Sequence, residues 1–330
     1  MMRMKIWMVV SVAIGVGAQQ SGTNHNSGEH HRLCTVLKAA VSKWENSGGI
    51  LSHSLKKALH QTIFGNESGG NIEKLRKQLP EFYDEVLKGS ATRFTPCGGR
   101  ESGHSASYDM VCLCTAGENG WPVNNSDNAK LCGKNANELG VRSQAKGWYI
   151  KGEGKDQITA TWTNVTSECL HGDKEKGEKL KDTLKEFIDN LNQTRKTGYS
   201  NIYRLGEGDF ENKAHCDGSP ANGLCVMYYN GTQKMNHRPW WEDLEKAIPE
   251  EERFQEEKKK REEEERRKQQ EKEKHDILQA AALTSSPATN QTDQQHNKAN
   301  ITTQFHRLNI TSGTPTSMPS SWLLSAALLI

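Results

Sequence analysis

Eight cysteines constrain the fold of this chain more than any other feature of its sequence. They lie at Cys34, Cys97, Cys112, Cys114, Cys132, Cys169, Cys216 and Cys225. An even number in a secreted chain implies a disulfide framework, and eight cysteines allow 105 pairings, so the connectivity stays open. Cys112 and Cys114 are expected to bond to different partners, because residues two apart in a strand are too far apart for one bridge. Cys216 and Cys225 could close a small loop.

The N-terminus resembles a secretory signal peptide. Arg3 and Lys5 give it a positive start, residues 6–16 form an apolar run, and small residues follow at 16–18. This pattern predicts cleavage after Ala18, because signal peptidase requires small residues at its site. Residues 1–18 are therefore expected to be removed, and the cysteines are expected to meet an oxidising compartment.

The C-terminus resembles a signal for a glycosylphosphatidylinositol (GPI) anchor. Small residues begin at Ser312, a polar spacer follows, and the nine residues 322–330 form an apolar end. Nine residues are too few to cross a hydrocarbon core of about 30 Å, which needs roughly 20. The sequence predicts GPI attachment at Ser312 and removal of 313–330. The mature chain would then stand on the outer leaflet of the plasma membrane, at the cell surface.

Composition excludes one class of partner and points to a glycoprotein. The chain has 43 basic and 41 acidic residues, so its formal charge is +2 and no nucleic-acid partner is implied. The hydrophobic content of 34% is low, which predicts long solvated helices or disordered segments. Asn-x-Ser/Thr sequons, each a candidate glycan site, occur at Asn66, Asn124, Asn164, Asn192, Asn230, Asn290, Asn300 and Asn309.

Apolar periodicity predicts a mainly helical ectodomain over residues 19–249. One stripe runs from Leu33 to Trp44 and a second from Leu51 to Ile63, with helix ends at 46–49 and at Gly65. Residues 72–86 form a heptad seam that Pro80 should kink or break. A further helix is expected over 174–196, with a buried seam at Leu180, Leu184, Phe187, Ile188 and Leu191.

The remaining segments lack such periodicity. Residues 91–170 are rich in Gly, Asn, Ser and Cys, which predicts a loop-rich lobe held by disulfides rather than by a broad core. Residues 197–236 are expected to be loop, and Pro239 marks a helix start. Residues 250–283 alternate acids and bases at i,i+4 spacing, which predicts a solvated spacer helix of about 50 Å. The Thr- and Asn-rich stretch 284–312 is expected to be disordered.

No motif in the sequence indicates an enzyme or a metal or cofactor site. The segment 103–107 resembles a nucleophile elbow, but Ser107 replaces the second glycine. The segment 152–154 lacks the third glycine of a dinucleotide-binding motif. Cys112-x-Cys114, Cys169-x-His171 and His215-Cys216 do not have zinc-ligand spacing. No catalytic, cofactor-binding or metal residue is therefore predicted.

Several of these features together resemble the variant surface glycoproteins (VSGs) of African trypanosomes, nearest to the congolense type. The matching features are Cys34-Thr35-Val36-Leu37, Val111-Cys112-Leu113-Cys114-Thr115 and Lys130-Leu131-Cys132-Gly133. The order of charged helix, Thr/Asn-rich tail and apolar end matches as well. The brucei-type members carry a separate cysteine-rich C-terminal domain, whereas no cysteine follows Cys225 here.

The resemblance implies a fold and a function. The expected fold is a long antiparallel helical hairpin or bundle with a disulfide-rich head lobe, and a homo-oligomer, most simply a dimer, is implied. The expected function is a GPI-anchored coat that shields the parasite membrane, meets host antibodies and supports antigenic variation. The alternative is a GPI-anchored receptor for a host serum protein on the same scaffold. A third hypothesis, a hydrolase or lectin, would need a polar site near His104 or Cys112.

Overall fold

The computed structural model describes residues 22–284, except 48–49, 84–87, 89–91, 100, 125–126, 142–145, 150–152, 174–178, 194–201, 209–214 and 230–237. The predicted signal peptide, most of the Thr/Asn-rich tail and the GPI signal lie outside these residues. The chain divides into two units, residues 1–268 and 269–330. The described part is mainly helical and contains four disulfides, which confirms the predicted fold class.

The first two helices form where the apolar stripes predict them. Helix α1 spans Ser27–Asn46 and buries Leu33 to Val41 on one face. Helix α2 spans His53–Phe64, and Ser52 caps its first turn by accepting the N–H of Leu55. Gly65 ends α2 with φ 72°, and a side chain at this position would meet the ring of Tyr108 at 2.8 Å.

The expected coiled-coil seam over 72–86 is not one helix. Helix α3 spans only Ile72–Lys77, and Gln78 is already extended. The residue before a proline disfavours the helical region, so a helix ends shortly before Pro80. Val86 lies outside the described residues.

The lobe predicted over 91–170 contains the expected disulfides and loops, but one of its helices lies in the centre of the core, so it is held by a broad core as well as by disulfides. Its helices are α4 (Phe94–Cys97), α5 (Ala106–Cys114), α6 (Lys155–Thr161) and α7 (Ser167–Cys169), with a π-helical turn at Trp162–Thr166. Every residue of α5 is buried, and α5 packs against α1, α2 and the π turn. A helix buried on all sides has no polar face and therefore shows no helical periodicity.

Helix α8 spans Leu180–Gln193, and its predicted seam is confirmed: Leu180, Leu184, Phe187 and Leu191 are buried and Ile188 packs beside them. Its most extensive helix contact is with α1. Helix α3, by contrast, is only six residues long and packs on α7.

The predicted loop over 197–236 contains an antiparallel hairpin. Strand β3 (Ile202–Gly206) pairs with β4 (Cys225–Tyr229), with Ile202 opposite Tyr229. Two shorter strands, β1 (Asn24–His25) and β2 (Lys130–Leu131), pair in parallel. The hairpin packs on α5 and α8, so this part of the chain belongs to the core.

The last helix, α9, spans Trp240–Thr284 and passes through Pro249. Its first turns bury Trp240, Trp241 and Leu244, whereas residues 259–280 are exposed. The ion pairs found along it include Lys258–Glu262 and Glu264–Lys268, both at i,i+4 spacing. The helix therefore begins earlier than the charge pattern predicts, and its solvated part among the described residues is 259–280.

Candidate functional site: disulfides, buried polar centre and sequons

All eight cysteines are paired, as the even count predicts. The bridges are Cys34–Cys169, Cys97–Cys112, Cys114–Cys132 and Cys216–Cys225. Cys112 and Cys114 bond to different partners and Cys216–Cys225 closes the small loop, so both expectations are confirmed. The physical reason for the first differs from the one expected, because Cys112 and Cys114 lie on helix α5 and not on a strand.

Arg93 is the most deeply buried charged side chain of the described core. Its side chain is fully buried and donates to the carbonyl oxygens of Cys112, Thr115 and Trp148. Two of these carbonyls belong to the C-terminal end of α5, where a helix has unpaired acceptors and a negative partial charge. Burial lowers the pKa of Arg93 to about 9, with Asp217 acting in the opposite direction, so the side chain is charged at neutral pH.

Asp109 joins three elements at the other side of α5. Its Oδ2 accepts hydrogen bonds from the Tyr228 hydroxyl at 2.7 Å and from the Trp240 indole N–H at 2.8 Å. These bonds tie α5 to β4 and to the first turn of α9. Burial raises the pKa of the Asp109 carboxyl to about 7, against the hydrogen bonds from Tyr228, Trp240 and the Gly103 backbone, which lower it.

This raised pKa predicts a stability that depends on pH. The unfolded carboxyl has an ordinary pKa of 3.8, so between about pH 4 and pH 7 the folded protein keeps a proton that the unfolded chain has released. The free energy of unfolding should therefore fall as pH rises through this window, by about 1.4 kcal/mol per pH unit from this group. Urea unfolding of the wild type and of Asp109→Asn across the window measures the difference between their slopes.

The matched control for that slope is Asp127→Asn, since Asp127 is exposed. In Asp127→Asn the free energy of unfolding should depend on pH as it does in the wild type. In Asp109→Asn the contribution of Asp109 to that dependence should be missing. Identical slopes in the wild type and Asp109→Asn would contradict the assignment.

Asn26 connects the start of α1 to the core. Its side-chain amide donates to the carbonyl oxygens of Leu113 at 2.9 Å and Leu224 at 2.8 Å. Its Oδ1 accepts the backbone N–H of Glu207 at 2.9 Å, and the Glu207 carboxylate contacts His25 Nδ1 at 2.7 Å. One buried amide therefore links α1, α5 and the hairpin.

The segment that resembled a nucleophile elbow has a structural role. Ser105 is buried and caps α5 by accepting the N–H of Tyr108. The Ser107 hydroxyl donates to the carbonyl oxygen of Ile63, and His104 Nε2 lies 2.6 Å from the carbonyl oxygen of Gly65. These contacts fasten α5 to the end of α2, and they place both serine hydroxyls inside the core.

One group of described residues has metal-ligand geometry. The donor atoms of His30, Cys34 and Cys169 lie within 4.8 Å of one another. However, the two sulfur atoms are bonded to each other, and a metal binds the thiolate form of cysteine. Burial lowers the pKa of His30 to about 4, with the nearby Glu168 acting in the opposite direction, so this histidine is neutral beside the disulfide.

The sequons whose side chains the structure describes fall into two groups. Asn66 and Asn124 are exposed. Asn164 is half-buried in the π turn, and its side-chain amide donates to the carbonyl oxygen of Glu138 at 2.6 Å. The side chain of Asn192, together with Asn230, Asn290, Asn300, Asn309 and the predicted anchor residue Ser312, lies outside the described part of the chain.

The environment of Asn164 predicts that this sequon carries no glycan in the mature protein. The exposed Asn124 also donates its side-chain amide to a backbone carbonyl, that of Asn119, so burial is what sets Asn164 apart: Asn164 is half-buried, and Val165 and Thr166 of its sequon are buried. Deglycosylation in heavy-oxygen water followed by peptide mass spectrometry should label Asn66 and Asn124 and leave Asn164 unlabelled. A high label at Asn164 would show that the turn rearranges to admit a sugar.

The sequence-based predictions included the cysteines but missed the buried polar centre formed by Arg93, Asp109 and Asn26. Asp109 has a detectable signal, since it is the single charge in the apolar segment 106–114. Arg93 and Asn26 lie in segments without periodicity, and nothing in their neighbourhood marks them as buried.

The comparisons with known proteins agree with this architecture. No helix among the described residues is both long enough and apolar enough to cross a membrane. A search of curated proteins finds no match to the chain. The family model described as "Trypanosomal VSG domain" matches residues 36–269, a span that contains seven of the eight cysteines as well as Arg93 and Asp109. Because this match covers more than half of the chain, the protein belongs to the trypanosomal VSG domain family.

Proposed function

We propose that this protein is a GPI-anchored coat glycoprotein of a trypanosome surface, with no enzymatic activity. The family match over residues 36–269 carries the proposal. Its task would be to shield the plasma membrane and to present variable surface loops to host antibodies, which is the basis of antigenic variation. The motifs Cys34-Thr35-Val36-Leu37 and Lys130-Leu131-Cys132-Gly133 support assignment to the congolense type.

The interior of the described part is suited to a protein whose function depends on keeping a stable shape. Its buried charged and amide groups, among them Arg93, Asp109 and Asn26, bond to backbone or to neighbouring core side chains. Four disulfides also constrain the fold, and they do so whatever the sequence of the surface loops is. Surface loops on such a scaffold can change in sequence without loss of the fold. Glycans on Asn66 and Asn124 would add bulk to the shield.

The anchor and the oligomer are parts of the same proposal. The small residues at Ser312 followed by an apolar end support GPI attachment there and a location on the extracellular face of the plasma membrane. Membership of the VSG family supports a homodimer. Sedimentation of the soluble chain would measure that state directly.

Copy counting on the cell surface tests the coat function. A coat protein should dominate quantitative proteomics of surface-labelled parasites, and phosphatidylinositol-specific phospholipase C should release it if the inositol is not acylated. A chain truncated after Ser321 should lose its membrane retention, because the apolar end of the signal is then missing. A scarce protein that captures one host serum protein with measurable affinity would contradict the coat and support a receptor.

A further inference from the structure

The end of helix α9 differs from the rest of its exposed surface. Ile277 is 68% exposed and Leu278 is 70% exposed. Ile50, at 51%, is the other large hydrophobic residue that is exposed among the described residues. The preceding turns of α9 carry charged and amide side chains, so the apolar character begins abruptly at Ile277.

The apolar character extends beyond these two side chains. One helical turn further on, the sequence has Ala281 and Ala282, and positions four apart are neighbours on a helix. Leu283 follows within the same helix, which ends at Thr284. Burying a large aliphatic side chain removes apolar area from water and stabilises the contact. Ile277 and Leu278 are therefore suited to an apolar surface.

We propose that Ile277 and Leu278, near the end of α9, rest in the headgroup boundary of the membrane that carries the anchor. This inference rests on the proposed GPI attachment at Ser312. Only 28 residues, 285–312, separate the end of α9 from that position. A flexible chain of this number of residues has a root-mean-square length of about 30 Å. Such a tether gives an effective concentration in the millimolar range, so a weak affinity is enough to hold the contact.

The charges beside the apolar end decide which lipid surface it fits. Residues 271–276 contain three acidic side chains, two lysines and a histidine, so they have no net positive charge at neutral pH. Binding to anionic lipid requires a cluster of basic side chains. The contact therefore depends on apolar burial in a neutral lipid surface, and Lys272 and Lys274 can extend their ammonium groups toward water.

Fluorescence quenching by brominated lipids tests the contact. The chain 19–312 with a C-terminal hexahistidine is bound to phosphatidylcholine vesicles that contain a nickel-chelating lipid, with and without brominated acyl chains. This tether is imposed by the experiment, so failure of native GPI attachment leaves the test unaffected. Leu278→Trp reports on the end of α9, and Ile50→Trp is the matched control. The signal of the unsubstituted chain is subtracted from both.

The expected result is quenching of Leu278→Trp alone. Its emission should fall to about half in brominated vesicles, because a residue in the boundary is close to the acyl chains. Added salt or anionic lipid should leave the quenching unchanged, and Ile50→Trp should keep its emission. Equal emission of Leu278→Trp in both kinds of vesicle would overturn the proposal. Equal quenching of both variants, or cross-linking between copies at position 278 without quenching, would overturn it as well.

Discussion

Replacing Cys34 and Cys169 together by alanine is expected to lower the free energy of unfolding by about 5 kcal/mol. The bridge joins α1 to α7 and spans a sequence separation of 135 residues. In the chain-entropy account, a cross-link stabilises by restricting the unfolded chain, and the effect grows with the length of the closed loop. Urea unfolding under oxidising conditions measures the loss.

The matched control is the double alanine variant of Cys216 and Cys225. That bridge spans a separation of nine residues, so its removal should cost about 3 kcal/mol. The remaining three disulfides are intact in each variant. Equal losses of unfolding free energy in the two double variants, or a larger loss for the Cys216–Cys225 variant, would contradict the larger contribution predicted for the Cys34–Cys169 bridge.

Arg93→Met is expected to lower the free energy of unfolding by about 3 kcal/mol. Methionine fills much of the volume but leaves the buried carbonyl oxygens of Cys112, Thr115 and Trp148 without the donors that Arg93 supplies. Each buried acceptor that loses its partner costs about 1–3 kcal/mol. Removing the guanidinium also removes the cost of burying its charge, which offsets part of the total loss of stability. Thermal and urea unfolding measure the difference.

Two variants sharpen this prediction. Arg253→Met removes an exposed arginine of α9 and should change the free energy of unfolding by less than about 0.5 kcal/mol. Arg93→Lys keeps the charge, but a single ammonium group cannot reach the three carbonyls that the planar guanidinium reaches. It should therefore lie between the wild type and Arg93→Met. A stability of Arg93→Met equal to the wild type would contradict the central role of this side chain.

The parts of the fold that the sequence predicts well are those with one buried and one solvated face. The stripes of α1, α2 and α8 mark buried faces, and Gly65 ends α2 as expected. Helix α5 escaped prediction because all its residues are buried and no polar face remains to set a period. The hairpin of β3 and β4 escaped prediction because eighteen residues of turn-rich sequence separate Ile202–Gly206 from its partner strand Cys225–Tyr229, with no short turn signal.

The candidate site was predictable only in its covalent part. Pairing of Cys216 with Cys225 follows from their proximity in the sequence. The centre around Arg93 and Asp109 depends on contacts between residues far apart in the sequence, such as Asp109 with Tyr228 and Trp240. Neither hydrophobic period nor local motif carries that information.

Peptide mass spectrometry of the mature protein from parasite membranes tests the proposed anchored coat glycoprotein most directly. The account predicts an N-terminus at Gln19, a C-terminal peptide that ends at Ser312 and carries the glycolipid, and occupied sequons at Asn66 and Asn124. Residues 313–330 should be absent from the mature chain. A mature protein that retains 313–330 without lipid would contradict the GPI-anchored coat.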